Sequence, residues 1–266
     1  MKVIPNHARA KLEQGELALG MGLRQARTVD IAQIAQACDF DWLFIDMEHN
    51  SMSLDTAAQI CAAALAVGVA PMIRVPAHES FHSTRLLDTG AQGIVVPHVN
   101  NAQEARRVVD FCRFPPLGHR SIPGSLPQTR FAALPVTETV ELINRETLVV
   151  VMIETVEGLK NVDEIAAVPG IDCLLVGCTD MAAELGVTGQ LGHSRVKEAM
   201  DMAAAACKRH GKVLGFGGVY DDALMREYVG KGGRLILSGS DLAFLMAGAR
   251  ARSATMRAIP LTKEQA

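Results

Sequence analysis

The sequence predicts an α/β fold, a single (β/α)8 TIM barrel occupying residues 1–266. Three observations predict it. Eight short runs of apolar, often β-branched residues recur along the chain, the pattern of parallel strands buried on both faces. Stretches with apolar residues at helical spacing lie between them. Ionisable residues collect just where several of the runs end, and a barrel enzyme keeps its site there.

The strands are read in order as Ala18–Leu23, Trp42–Met47, Ala70–Val75, Gly93–His98, Leu148–Glu154, Asp172–Gly177, Val213–Gly218 and Arg234–Ser238. The first is the weakest, with two glycines in six residues. Helical segments include Asp30–Cys38, Leu54–Val67, Ala102–Cys112 and Ser194–His210, with Asp30, Asn101 and Ser194 as N-caps. A doubly wound open sheet is the structural competitor. No G-x-G-x-x-G follows the first strand and no P-loop Lys-Ser/Thr is present, which disfavours its nucleotide-binding form. Gly230–Gly233 reads as a helix C-cap and turn. Arg113–Pro135, rich in Pro and Gly, breaks the rhythm, and a long loop inside a compact domain is expected to be functional.

Composition excludes several classes. Lys+Arg is 26 and Asp+Glu is 29, a formal charge of −3, so there is no basic excess for nucleic acid. With 49% hydrophobic and 21% charged residues the chain is not disordered, and at 4% aromatic its core must be aliphatic. Six cysteines without a C-x-x-C pair read as reduced thiols of a cytoplasmic protein. The N-terminus lacks an apolar signal core, and the most apolar window, Ala57–Ile73, reads as helix then strand because it contains Gln59, Gly68 and Pro71. Neither membrane nor nucleic acid is expected as a partner.

The strand ends carry the chemistry. The second runs into Asp46-Met47-Glu48-His49, the third carries Arg74, the fifth ends in Glu154 and the sixth meets Gly177-Cys178-Thr179-Asp180. A charge abutting an apolar strand needs a partner. Glu154 and Asp180 on adjacent strand ends would repel unless a hard divalent cation sat between them. Asp46 could accept a hydrogen bond from one ring nitrogen of His49 and leave the other free as a base. The bland reading of each is structural: Asp180 caps a helix Met181–Leu185, Arg74 merely pairs with Asp46 or Glu48, and His49 is a loop residue. His98 also ends a strand and is expected to be a packed residue. His78-Glu79-Ser80-Phe81-His82 spells the zinc-protease H-E-x-x-H, but it follows Pro76 directly after a strand, where a helix has barely begun. The runs place no lysine at the barrel centre, which argues against Schiff-base chemistry.

Phe40-Asp41-Trp42-Leu43-Phe44-Ile45-Asp46-Met47-Glu48-His49 resembles the second-strand segment of the class II pyruvate aldolases, the 4-hydroxy-2-oxoheptanedioate aldolase family of the phosphoenolpyruvate/pyruvate barrel superfamily. Arg74, Leu86-Leu87-Asp88-Thr89-Gly90-Ala91, Pro115-Pro116-Leu117-Gly118-His119-Arg120-Ser121, Ile153-Glu154-Thr155 and Gly177-Cys178-Thr179-Asp180-Met181 are similar to further family segments in the same order, from about Gly20 to Ala249. The resemblance implies reversible aldol cleavage of a 4-hydroxy-2-oxo acid to pyruvate, or a close 2-oxo acid, and an aldehyde. Glu154 and Asp180 would hold Mg2+, Mn2+ or Co2+. Arg74 would stabilise the enolate, Asp46 and His49 would form an acid/base dyad supported by Glu48, and the amides around Cys178, Thr179 and Asp180 would bind the substrate carboxylate. It also implies a homo-oligomer, trimer or hexamer, with the last helix packed on a neighbour and Asp88 approaching an adjacent site.

Two departures stand out. Met152 replaces a frequent Gln two residues before the metal glutamate, facing the same side of the strand and so the substrate. Gly177-Cys178-Thr179-Asp180 replaces G-P-x-D. No cluster on the aldehyde side selects a dicarboxylate. The rival readings are a malyl- or citramalyl-CoA lyase, using Arg250, Arg252 and Arg257 for CoA phosphates, and a non-catalytic 2-oxo acid binding protein.

Overall fold

A computed structural model describes residues 2–260. Eight parallel strands close into a barrel in sequence order: β1 (Ala18–Leu23), β2 (Trp42–Asp46), β3 (Ala70–Arg74), β4 (Gly93–Val96), β5 (Leu148–Ile153), β6 (Cys173–Gly177), β7 (Val213–Gly217) and β8 (Gly233–Ser240), with β8 pairing back onto β1. Every predicted strand is present, within about two residues at either end.

Strand parity explains how this sequence positions its site. Trp42, Phe44, Ala70, Met72, Val95, Val150, Met152, Cys173, Leu175 and Leu235 fill the barrel interior. Their neighbours Leu43, Ile45, Ile73, Ile94, Val149, Val151, Leu174 and Val176 pack outward against the helices. Continuing the inward parity by two residues places Asp46, Arg74, Glu154 and Gly177 on the inner layer at the mouth. Register puts Asp46 directly beside Arg74. A slip of one residue would turn these charges into the helix–sheet layer and displace aliphatic side chains whose burial contributes about 1.5–3 kcal/mol each. The aliphatic core therefore fixes the orientation of the polar ends.

The helices are α1 (His7–Glu13), α2 (Ile31–Ala37), α3 (Leu54–Val67), α4 (Ser80–Asp88), α5 (Ala102–Cys112), α6 (Val136–Glu146), α7 (Val156–Lys160), α8 (Val162–Ala166), α9 (Cys178–Glu184), α10 (Ser194–His210), α11 (Asp222–Gly230) and α12 (Asp241–Arg257). Asn101 caps α5 as expected, accepting the Glu104 N–H at 2.9 Å. Asp30 stands at the cap position of α2, but its backbone is already helical and its side chain makes no capping bond; the Thr28 hydroxyl donates to it instead. Ser194 is inside α10. The cap is His193, whose Nδ1 accepts the Arg195 N–H at 3.2 Å, so a ring nitrogen does the work assigned to a hydroxyl.

The loop 113–135 lies at the opposite end of the barrel from the strand C-termini, away from the ionisable residues at the strand ends. It follows α5, and that helix returns the chain to the strand N-terminal ends. There it forms a floor together with α1. Arg113 is buried and donates to the Thr147 carbonyl at 2.9 Å, to the Gly170 and Asn144 carbonyls and to the Asp172 carboxylate. Arg120 donates to Asp88 at 2.6 Å and stacks over Phe114. Gln128 donates to the Leu87 and Ala91 carbonyls. Asp88 thus has a partner within its own chain.

Among the described residues, no helix is long and apolar enough to cross a membrane. α12 stands apart from the other helices: none of its residues is buried, and Phe244, Leu245, Met246 and Met256 are exposed.

Candidate active site

A cavity of about 590 Å3 opens at the strand C-terminal ends. Asp46, His49, Arg74, Met152, Cys178, Thr179 and Asp180 all line it, so seven of the nine predicted site residues share one cavity. Glu48 and Glu154 lie beside it, within the same charged network.

Asp46 is the organising acid. Its Oδ1 accepts Arg74 Nε at 3.0 Å and the backbone N–H groups of Glu48 and His49; its Oδ2 accepts Arg74 Nη2 at 2.7 Å. Burial pushes the Asp46 carboxyl up, but the bonds and charge of Arg74, with the two backbone N–H groups, outweigh it and leave the group below the usual carboxylate range. Desolvation lowers Arg74, and Asp46, Glu48 and Glu154 more than restore it. The pair is a bidentate fork that locks the guanidinium in place. This corrects the expected dyad. Asp46 meets His49 through the latter's backbone, while the imidazole Nε2 stands 3.7 Å from Glu48 Oε2. Asp46 accepts from Arg74, from Arg24 and from two backbone N–H groups, and none of these donors is the His49 ring.

Glu154 is the group the fold leaves incomplete. It is buried, and its Oε1 accepts the His98 N–H at 2.8 Å. Its Oε2 is buried without a hydrogen-bond partner. A Cβ on Gly177 would come within 2.4 Å of that oxygen, so only glycine leaves room for the carboxylate to lie over β6. Burial raises the Glu154 pKa, and the neighbouring charges of Asp180 and Glu48 add to the rise; His98 offsets it in part. Glu48 Oε2 is likewise buried and unbonded, lying 2.9 Å from Arg74 Nη1 but off the hydrogen-bond direction. A buried carboxylate oxygen without a donor, next to a second acid, suits a cation. Among the described residues no cluster of three or more His, Cys, Asp or Glu is placed to hold a metal. The unbonded Glu154 Oε2 with Asp180 nearby offers two carboxylates, a donor set that suits a hard ion whose shell is completed by water or substrate oxygens. Asp180 lies within the first turn of α9, not at its cap; the cap position is Gly177, which has no side chain to engage the helix N–H groups.

Cys178 is buried, its thiol pushed up to about 12 by desolvation, so it can contribute its amide but not a thiolate. The H-E-x-x-H string does not form a zinc site. Glu79 stands at the N-cap position of α4 without a side-chain capping bond, and His78 precedes the helix with Nε2 2.6 Å from the Pro97 carbonyl; of the two histidines only His82 is helical.

Three residues at the mouth were missed. His98, expected to be packed, is half-exposed with φ +52°, and its ring spans Glu154 (Nδ1, 3.3 Å) and Glu48 (Nε2, 3.6 Å). Arg24, directly after β1, reaches Asp46 Oδ2 at 3.3 Å and lines the cavity. Tyr220, three residues past β7, lines it too. Applying the strand-end rule to every strand, the weak first one included, would have found them.

An eight-stranded parallel barrel with its ionisable residues and an incomplete buried carboxylate gathered at the C-terminal mouth is the architecture of a barrel enzyme. Residues 24–247 match the family model HpcH/HpaI aldolase/citrate lyase. The chain is 37% identical over 257 residues to a 4-hydroxy-4-methyl-2-oxoglutarate aldolase of Hapsidospora irregularis, covering 95% of each chain. It is 33% identical over 242 residues to a 4-hydroxy-2-oxovalerate aldolase of Novosphingobium aromaticivorans, covering 91% of this chain and 90% of the other. The crystal structure of an HpcH/HpaI aldolase from Desulfitobacterium hafniense DCB-2 superposes with a TM-score of 0.90 at 31% identity, covering 95% and 97%. The chain belongs to the HpcH/HpaI aldolase/citrate lyase family and is an aldolase, a carbon–carbon lyase acting on hydroxylated 2-oxo acids.

Proposed function

We propose that the protein is a divalent-metal-dependent aldolase that reversibly cleaves a 4-hydroxy-2-oxo acid to pyruvate, or a close 2-oxo acid, and a carbonyl fragment. The observation that carries the reading is the buried, unpartnered Oε2 of Glu154 at a cavity lined by Asp180 and Arg74. Relatives whose names give different substrates leave the released carbonyl fragment open.

Glu154 and Asp180 would hold Mg2+, Mn2+ or Co2+, which supplies Lewis-acid polarisation of the 2-oxo group. The first-turn amides around Cys178, Thr179 and Asp180 receive the substrate carboxylate. Met152 floors the pocket with an apolar surface. His49, polarised by Glu48, takes the proton from the C4 hydroxyl. The C3–C4 electrons pass into the 2-oxo group as that bond breaks, and Arg74 stabilises the enolate charge. Asp46 acts by holding Arg74, not by accepting the proton. A proton delivered to C3 completes pyruvate.

α12 bears on assembly. Its apolar residues Phe244, Leu245 and Met246 are exposed together, and an exposed apolar cluster on one helix fits a contact with a second copy. The reading is a homo-oligomer, trimer or hexamer, in the cytoplasm, where its reduced thiols are stable.

The test is pyruvate release from 4-hydroxy-2-oxo acids after chelation and after restoring Mg2+, Mn2+ or Co2+. Release that disappears on chelation and returns with metal supports the reading; release indifferent to chelation overturns it. Light scattering gives the mass of the assembly, and a monomer overturns the oligomer.

A further inference from the structure

We propose that Asp241, the first residue of α12, is a positioning residue for the reaction. Its carboxylate clamps the segment that follows β1, so that Arg24 shares the Asp46 carboxylate with Arg74. The proposal rests on the aldolase reading for what Arg74 does.

The fold sets the two segments side by side. β1 and β8 pair in parallel as far as Gly22 and Ser240. A Cβ on Gly22 would stand 3.3 Å from the Gly239 carbonyl oxygen, so glycine there lets the two strand ends approach closely. The residue after Ser240 then faces the chain as it leaves β1. The Asp241 carboxylate accepts the backbone N–H groups of Arg24 at 2.7 Å, Gln25 at 2.9 Å and Ala26 at 2.7 Å. Three consecutive N–H groups on one ionised carboxylate fix the backbone that carries Arg24.

Helix capping does not account for this carboxylate. Ser240 is the N-cap of α12, and its hydroxyl accepts the Ala243 N–H at 3.3 Å. Within its own helix Asp241 accepts only the adjacent Leu242 N–H, at 2.7 Å. Its other bonds cross to the 24–26 segment, more than two hundred residues away in the chain.

Charge says what the clamp is for. At the mouth Asp46, Glu48, Glu154 and Asp180 outnumber Arg74 and Arg24, so guanidinium donors are the scarce partners. Arg74 gives Nε and Nη2 to Asp46 and turns Nη1 toward Glu48. Arg24 Nη1 supplies a further donor to Asp46 Oδ2 at 3.3 Å, and among the described residues Asp46 is its only ion-pair partner. The Arg24 side chain is 43% exposed, and an exposed arginine gains little from a pair once its side-chain entropy is counted. A fixed backbone lowers that ordering cost. Without the clamp Arg24 releases its share of Asp46. Asp46 then leans on Arg74 alone and draws that cation away from the enolate it stabilises.

The test is a double-mutant cycle. kcat and KM for 4-hydroxy-2-oxo acid cleavage are measured with metal for the wild type, Asp241→Ala, Arg24→Met and the double variant, after melting curves show each folded. Asp241→Asn is the conservative variant, and it takes the place of Asp241→Ala should that protein fail to fold. Each single substitution should lower kcat by about tenfold, between the effects of an exposed ion pair and a buried charge-assisted bond, with KM within about twofold of wild type. Asp241→Asn should retain part of the rate, and the double variant should be no slower than the slower single one. A merely structural Asp241 would instead give multiplying losses. Equal losses from Asp241→Ala with and without Arg24, an unchanged kcat, or a loss confined to KM overturns the proposal. Hydrogen exchange reads the clamp without turnover: the amides of residues 24–26 should exchange at least about tenfold faster in Asp241→Ala, and unchanged exchange overturns it. A wild type that cleaves no 4-hydroxy-2-oxo acid with Mg2+, Mn2+ or Co2+ overturns the aldolase reading instead, and amide exchange then decides the clamp by itself.

Discussion

The two ends of this barrel are built from the same side chains and reach opposite states. At the floor, Arg113 and Arg9 converge on Asp172, and the acid also accepts the Val149 N–H. The floor's arginine donors go mostly to backbone carbonyls, and what is left unbonded there includes Arg9 Nε and Arg120 Nε, each on a guanidinium bonded elsewhere. At the mouth, Arg74 converges on Asp46 in the same way, but the unbonded atoms are carboxylate oxygens of Glu48 and Glu154. An ion pair is therefore no mark of function. What separates the ends is the charge of what remains unbonded: carboxylate oxygens at the mouth, guanidinium nitrogens and the neutral Gln128 amide oxygen at the floor.

The sharpest way to break that contrast is to neutralise one residue at each end. Glu154→Gln keeps the shape and removes the charge. Metal-dependent pyruvate release should fall by at least about a hundredfold, while the melting temperature holds or rises, because an under-bonded buried carboxylate costs stability. A melting temperature that drops as far as that of a floor variant would erase the distinction. Arg113→Met leaves Asp172 and several carbonyls without their donor. Urea unfolding should show a loss of about 3–5 kcal/mol, with kcat/KM per folded molecule close to wild type.

A smaller effect comes from pH. Asp46 titrates below its ordinary 3.8 in the folded state, so its contribution to stability is complete above the unfolded value and is lost as pH falls through the folded one. The melting-temperature gap between wild type and Asp46→Asn should be widest near neutrality and shrink below about pH 4. A gap that widens in acid would refute the assignment. The smallest concerns access. Cys178 adjoins the mouth and Cys173 begins β6 at the floor; both are buried, with thiols raised by desolvation. Exposed Cys38 should react first with a thiol reagent, and Cys178 before Cys173. Equal rates for the two buried thiols would mean the ends open alike.

Much of this was legible beforehand. The strands were read from continuous apolar runs, because a parallel sheet covered on both faces needs them. Asp46, Arg74, Glu154 and Asp180 were read from the rule that charge at a barrel strand end needs a partner. What escaped were partners and directions. Nothing in the string Asp46-Met47-Glu48-His49 says that the aspartate turns to an arginine on β3 while the imidazole faces Glu48. His98 looked like filler because its exposure depends on a positive φ after Pro97. Arg24 follows the least convincing strand. The loop 113–135 looked functional from composition, whereas which end of the barrel it covers follows from the direction of α5.

The sequence by itself determined the barrel, its strand order and the inward parity that carries Asp46, Arg74 and Glu154 to one rim, because alternation and aliphatic burial are local properties that propagate along each strand. Only the tertiary structure decided which carboxylate is satisfied, that the Gly177 backbone passes beneath Glu154 Oε2, and that Arg24 and Tyr220 face the same cavity. Those are contacts between strands and loops far apart in the chain. Hydrogen-bond direction and the sharing of one oxygen among several donors have no periodicity from which to be read.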